Sequence, residues 1–222
     1  MESTILTKRQ QQFLIECGKS AEVRDTFVLT GGTALAGFYY SHRLSEDLDF
    51  FSTEKIDPMA ITVFLNSIKP ALGFTSFSSE QSFNRNLFFL SFPDGETLKT
   101  EFTYFPFPAI ETPALLQGIR VESKCDLAVN KLFTIYQKPR SRDFIDLYAL
   151  MTREHYELND LLKKARIKFD FHIDLLQLGA QLIRFQELKD LPRMLVVLSM
   201  DDVQNYFVSL AKTLKDKVLD SP

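Results

Sequence analysis

Residues 31–50 read Gly31-Gly32-Thr33-Ala34-Leu35-Ala36-Gly37-Phe38-Tyr39-Tyr40-Ser41-His42-Arg43-Leu44-Ser45-Glu46-Asp47-Leu48-Asp49-Phe50. A turn of small residues stands ahead of an apolar segment of helical character. Two aspartates then stand one residue apart in a run ending Leu48-Asp49-Phe50-Phe51. On a strand, residues two apart share a face, so Asp47 and Asp49 point the same way while Leu48 and Phe50 point into a core. Neighbouring carboxylates repel and raise each other's pKa unless a cation lies between them. Mg²⁺ suits the place, because it takes one or two carboxylates with phosphate oxygens and water. The Gly31-Gly32-Thr33 turn offers backbone N–H groups to an anion. Metal carboxylates beside a phosphate cradle point to nucleotide chemistry.

Each of these features has a plainer reading. An Asp-x-Asp is commonly a pair of surface carboxylates, but aspartate is disfavoured in strands and here two sit within one. The glycines could serve only a turn that needs positive φ. Thr33 could cap the following helix or bond a phosphate. Of the residues just before the pair, Arg43 could grip a phosphate through its fork of donors or balance Glu46 and Asp47. Ser45 belongs with it in the candidate nucleotide site.

The chain has 222 residues with 45% hydrophobic and 25% charged content, the composition of an ordinary globular protein of one large domain or two small ones. Phenylalanine is frequent, at 21, and is read as core filling. A net charge of −3 argues against a surface that binds nucleic acid as a whole, so any such contact must be local. The start is polar, without a secretory apolar region, and no apolar run approaches the roughly 18 residues that span a bilayer. With only Cys17 and Cys125, a reduced, cytoplasmic chain with no membrane contact is the expectation.

Periodicity predicts a helix over 5–19, capped by Thr4 or Thr7, a strand over 27–30, a helix over 33–41 and a strand over 48–51. A helix over 58–72 follows, with Pro58 in its first turn and Gly73 as its stop. Strands are expected at 74–79, 86–92 and 98–104, the last two joined by a Pro93-Asp94-Gly95 turn. Past Phe105-Pro106-Phe107-Pro108 the strand signals mostly vanish. Helices are expected at 122–137, 142–151, 156–166, 171–187 and 201–217. The fold class is therefore α+β: a small mixed sheet with flanking helices over 1–110, then a helical domain over 111–222.

Further candidates lie outside the opening stretch. Glu101 shares a strand face with Lys99 and is either a solvated residue or a third carboxylate, usable as metal ligand or base. Lys131 lies on a mostly apolar helix stripe with Leu127, Ala128, Thr134 and Ile135, either snorkelling to a rim or aimed into a cleft where it suits a triphosphate. Ser141 is a candidate N-cap, and Asp143 in the first turn suits the helix dipole. Asp146 shares a face with Leu147 and Leu150, which calls for a cationic partner, Lys131 or Arg142. Lys138, Arg140 and Arg142 beside Tyr136 form either a local RNA patch or a solvated loop.

Four blocks in order carry a resemblance: Gly31-Gly32-Thr33-Ala34-Leu35; His42-Arg43-Leu44-Ser45-Glu46-Asp47-Leu48-Asp49-Phe50; Lys124-x-Asp126-Leu127-x-x-x-Lys131; and Ser141-Arg142-Asp143-x-x-Asp146-Leu147. Over about residues 25–150 the chain resembles the AbiEii/AbiGii toxin family, nucleotidyltransferase-like proteins of bacterial toxin–antitoxin and phage-defence loci. The resemblance implies a core like that of DNA polymerase β, with a helical domain closing over the nucleotide. It makes Asp47 and Asp49 the metal carboxylates and Gly32 and Thr33 the small-residue turn. It makes Lys131 the triphosphate lysine and Asp143 or Asp146 the C-terminal catalytic aspartate. Glu101 stands where the wider superfamily places a third carboxylate, usually an aspartate. The last 70 or so residues match no motif.

The implied activity is Mg²⁺-dependent transfer of a nucleotide from an NTP to a hydroxyl, either a tRNA 3′ end or a protein. A cognate antitoxin is the implied partner. The competing expectation is a non-catalytic protein that binds a nucleotide or a partner on a degenerate fold.

Overall fold

A computed structural model describes residues 5–219, with side chains to residue 214. The chain divides into two compact units. One runs to Pro108 and includes Thr112–Ser123; the other holds Ala109–Glu111 and what is described from Lys124 onward.

The first unit is built on a sheet of seven strands among the described residues: β1 Val28–Thr30, β2 Leu48–Ser52, β3 Ser76–Ser82, β4 Arg85–Ser91, β5 Thr97–Tyr104, β6 Ala114–Leu116 and β7 Ile119–Val121, in the order β3-β4-β5-β2-β1-β7-β6. The sheet is mixed, as expected: β2 runs parallel to β5 and antiparallel to β1, and β1 runs parallel to β7. Alternation along β2 buries Leu48, Phe50 and Ser52 and leaves Asp49 and Phe51 half-exposed. The buried face is largely phenylalanine. Phe50 stacks on Phe102 at 5.0 Å, Phe27 meets Phe102 edge-on at 5.0 Å, and Phe13 lies 6.2 Å from both Phe50 and Phe64. Aromatic pairs at such spacings add about 0.5–1.5 kcal/mol each beyond the area they bury.

Helices α1 Lys8–Lys19 and α4 Pro58–Leu72 supply Phe13 and Phe64 to that core. Thr7 caps α1 in a capping box: its hydroxyl accepts from Gln10 N at 3.1 Å, and its own N–H donates to Gln10 Oε1 at 2.9 Å. Thr4, the other cap expected, lies outside the described residues. Pro58 starts α4 behind the Asp57 cap, and Gly73 ends it at φ +76°. A short helix not anticipated, α2 Ala21–Thr26, precedes β1.

The β6–β7 hairpin lies past Phe105-Pro106-Phe107-Pro108, where the strand signals mostly vanish, and was not anticipated. Each strand has only three residues, too few for a periodicity signal, and the turn gives the hairpin away instead. Gln117 and Gly118 both have positive φ, 50° and 83°, as a tight two-residue hairpin turn requires.

The second unit is helical: α5 Lys124–Gln137, α6 Ser141–Glu154, α7 Leu158–Phe169, α8 Leu175–Leu182 running into a 3₁₀ turn Ile183–Glu187, and α9 Met200–Leu219. Phe144 anchors its core against Phe185 at 5.4 Å and Phe207 at 4.8 Å. The helix expected from 171 begins only at Leu175, because Asp174 caps it by accepting from Gln177 N at 2.8 Å. Ser141 is the first residue of α6 and not its cap; its hydroxyl donates to Asp190 O at 2.5 Å. Among the described residues no helix is long and apolar enough to cross a membrane.

Candidate active site

Asp47 and Asp49 meet the Gly31 turn through the geometry of the central strands. Asp49 sits on β2 with Thr30 as its neighbour on β1 and Glu101 as its neighbour on β5. The chain leaves β1 at Thr30 and turns at once into α3 Gly31–Leu35, continued by a π-helical turn Ala36–Tyr40. Gly31 holds φ +69°, and a Cβ there would lie 2.7 Å from Asp49 Oδ2. A Cβ on Gly32 would overlap the Arg43 guanidinium and lie 2.8 Å from Ser45 Oγ. Gly31 is required by its backbone conformation, whereas a side chain at Gly32 would have to displace Arg43 and Ser45.

Thr33 is fully buried in the helix and donates its hydroxyl to the Asp47 carbonyl. It braces the strand entry and is not the helix cap; Thr30 holds the cap position without a capping bond to the helix, its hydroxyl donating to Glu122 instead. Gln10 braces the same approach from α1, donating to Ser45 O at 2.9 Å and Glu46 O at 3.0 Å. Arg43 is buried, with one guanidinium nitrogen donating to Leu44 O at 2.9 Å.

The Asp47 carboxylate pairs with Lys99 at 2.7 Å, with 27% of its side chain exposed. Glu101 is gripped at both oxygens by Arg85, at 2.7 and 2.6 Å, and accepts from Thr103 Oγ1 at 2.7 Å. Burial pushes the Glu101 carboxyl up, but the Arg85 and Thr103 hydrogen bonds outweigh it and hold the group below its ordinary value. Arg85 was not anticipated. Only the β4–β5 register, which sets Arg85 opposite Thr103, brings it to Glu101.

The remaining candidates gather in the helical unit. Lys131 on α5 pairs with Asp143 at 2.7 Å and Asp146 at 2.8 Å, both on α6. Their side chains are 9%, 1% and 0% exposed. Arg140 joins Asp143 at 2.8 Å. Of the two partners expected for Asp146, Lys131 is thus in contact. Burial pushes the Asp143 carboxyl up, but the Lys131 and Arg140 charges win and hold it low. Arg140 is drawn into this cluster, and Tyr136 is buried with its hydroxyl on Gln177 at 3.0 Å. The patch imagined around Tyr136 therefore lacks an open aromatic face.

Asp126, in the third motif block, had no role assigned. It is fully buried, pairs with Lys168 at 2.7 Å and accepts from Ile110 N at 2.9 Å and Glu111 N at 3.0 Å. It anchors the Ala109–Glu111 segment on the helical unit.

A mixed sheet that sets Asp49 against a glycine turn ahead of a helix is the arrangement the sequence led one to expect of a nucleotidyltransferase core. Two solved structures share the fold. JHP933 from Helicobacter pylori superposes with a TM-score of 0.61 at 23% identity, covering 96% of this chain and 94% of that one. A candidate nucleotidyltransferase from H. pylori superposes with a TM-score of 0.62 at 21% identity, over 98% and 100%. An uncharacterised protein of Aquifex aeolicus (strain VF5) is 27% identical over 215 residues, 95% of each chain. The family model for the nucleotidyl transferase AbiEii toxin of type IV toxin–antitoxin systems matches residues 16–211. The chain belongs to that family, and it is a nucleotidyltransferase of the toxin–antitoxin kind.

Proposed function

We propose that this protein transfers a nucleoside monophosphate from an NTP to a hydroxyl acceptor, a tRNA 3′ end or a protein side chain, as a toxin restrained by a cognate antitoxin. The observation that carries this reading is the close approach of Asp49 Oδ2 to Gly31, which sets a carboxylate against the backbone that would cradle phosphate.

The donor set suits Mg²⁺. Asp47 and Asp49 offer hard oxygens on one face, and Mg²⁺ is held by one or two carboxylates plus substrate phosphates rather than by an all-protein cage. That agrees with the residues themselves: among those described, no three His, Cys, Asp or Glu side chains converge as a ready cage, and Glu101 is bound to Arg85. Bound Mg²⁺ supplies charge neutralisation on the nucleotide phosphates. Gly31 and Gly32 admit the phosphates to the backbone, and Arg43 with Ser45 borders them. Glu101 orients the acceptor side while Arg85 keeps it ionised. Catalysis on this reading is positioning and electrostatics. Lys131, Asp143 and Asp146 satisfy one another, so their part is to hold α5 and α6 in register.

Incubation with labelled NTPs and Mg²⁺, offering tRNA and lysate protein as acceptors, tests the proposal. Wild type is expected to label one acceptor and Asp49→Asn none, with its fold unchanged. Labelling that survives in Asp49→Asn removes the site assignment. The pairing of Glu101 with Arg85 favours a second reading, nucleotide binding without transfer. Calorimetry that finds tight, Mg²⁺-dependent NTP binding with no labelled acceptor would select it.

A further inference from the structure

We propose that the β3–β4 hairpin is an acceptor subsite for the unpaired end of an RNA strand, with Phe83 stacking on a base and Arg85 holding an adjoining phosphate; this rests on the transferase reading above. The pairing of Ser82 with Arg85 leaves Phe83 and Asn84 as a two-residue turn. A positive φ in such a turn is normally met by Gly, Asn or Asp. Phe83 holds φ +52° with 98% of its surface exposed. Neither conformation nor burial accounts for a phenylalanine there. A bulky residue kept in a strained conformation points to use.

The turn is anchored, because Asn84 O accepts from Tyr104 N at 2.9 Å at the end of β5. It is also continuous with the active-site face. From Asp49 the sheet passes to its register partner Glu101, then to Arg85, whose guanidinium grips Glu101, and two residues further to Phe83. Phe83 lies four residues before Leu87, the strand partner of Glu101, or about 14 Å along the strand. A short single-stranded tail bridges such a span. Arg85 spends Nε and one terminal nitrogen on Glu101, and its side chain remains 53% exposed. The donors not spent on Glu101 suit a phosphate.

The surroundings favour RNA over a protein acceptor. The flanking β3 edge, Ser76–Ser82, is serine and glutamine with exposed Glu80 and half-buried Phe77, and offers no apolar pocket for a protein anchor. A ring and a guanidinium two residues apart match the base and phosphate of an unpaired nucleotide.

Fluorescence anisotropy of a short 5′-fluorescein-labelled single-stranded RNA, titrated with the full-length protein without NTP, tests the subsite. Phe83→Gly suits the turn, so its Tm should equal or exceed that of wild type. It is expected to raise the RNA Kd about 10-fold, whereas Phe83→Tyr stays within about twofold. In the transfer assay Phe83→Gly should raise the KM for RNA and leave kcat unchanged. An unchanged RNA Kd in Phe83→Gly overturns the subsite whether or not transfer occurs. Loss of transfer to a protein acceptor, with RNA binding intact, overturns it in favour of a protein-docking role. If wild type transfers nothing but Phe83→Gly still weakens RNA binding, RNA binding at the hairpin stands, and its acceptor role falls with the transferase reading.

Discussion

On the sheet, Asp47 stands partly in water beside Lys99 and Asp49 stands half-exposed against Gly31, whereas in the helices Lys131, Asp143 and Asp146 are closed off from solvent. The same residue types follow different rules in the two places. A solvated carboxylate keeps its hydration and can exchange water for a ligand at small cost. A buried one must be satisfied by the fold, because an unpaired charge in a low-dielectric interior is expensive. On the proposed reading the sheet carboxylates take up a ligand, whereas the helical cluster is paired within the fold. Removing a charge should therefore damage activity in the first and stability in the second.

The largest expected effect is at Asp49. Asp49→Asn should lower transfer about 10³-fold, equivalent to about 4 kcal/mol of barrier, while urea unfolding shifts by no more than about 1 kcal/mol. Next, Lys131→Ala should cost about 3–5 kcal/mol of stability by urea denaturation, since it leaves two buried carboxylates without their cation. If Lys131→Ala unfolds like wild type but loses transfer, the contrast breaks and Lys131 grips phosphate after all. Gly31→Ala forces a Cβ onto Asp49 Oδ2 at a positive φ and should cost about 1–3 kcal/mol, with a matching loss of NTP binding by calorimetry.

The gentlest probe is pH. Glu101, Asp126 and Asp143 all have folded pKa values held below their ordinary ones. Each depressed carboxyl contributes stability that is full above its unfolded value, near 4, and is lost as pH falls through the lower folded value. The Tm should hold from neutrality down to about pH 5 and then fall. In Asp143→Asn the fall on acidification should be shallower.

How far the sequence carried depended on the range of the interaction. The alternation in Leu48-Asp49-Phe50-Phe51 was legible because side-chain direction on a strand is local, and for the same reason Thr7 was one of two candidate caps for α1, though its reciprocal bond with Gln10 was not read. Asp146 on an apolar face announced a cationic partner, because a buried charge demands one. The pairing of Arg85 with Glu101 was hidden, since it depends on hairpin register. The hold of Asp126 on Ile110 and Glu111 was hidden as well, because backbone donors leave no mark in a sequence. Thr33 misled for a related reason. A threonine after two glycines reads as a cap or a phosphate contact, but the Asp47 carbonyl just ahead of β2 claims the hydroxyl.

By itself the sequence determined the alternation along Leu48–Phe51 that buries Leu48 and Phe50 and turns Asp49 the other way, the glycine turn, the family, and the change from sheet to helices. Each follows from neighbours along the chain or from motifs in order. Only the tertiary structure decided which charges meet: Lys99 with Asp47, Arg85 with Glu101, Lys131 with both Asp143 and Asp146. Charge pairing acts over a few ångströms of space, and residues that distant in sequence become neighbours only when strand register and helix packing bring them together.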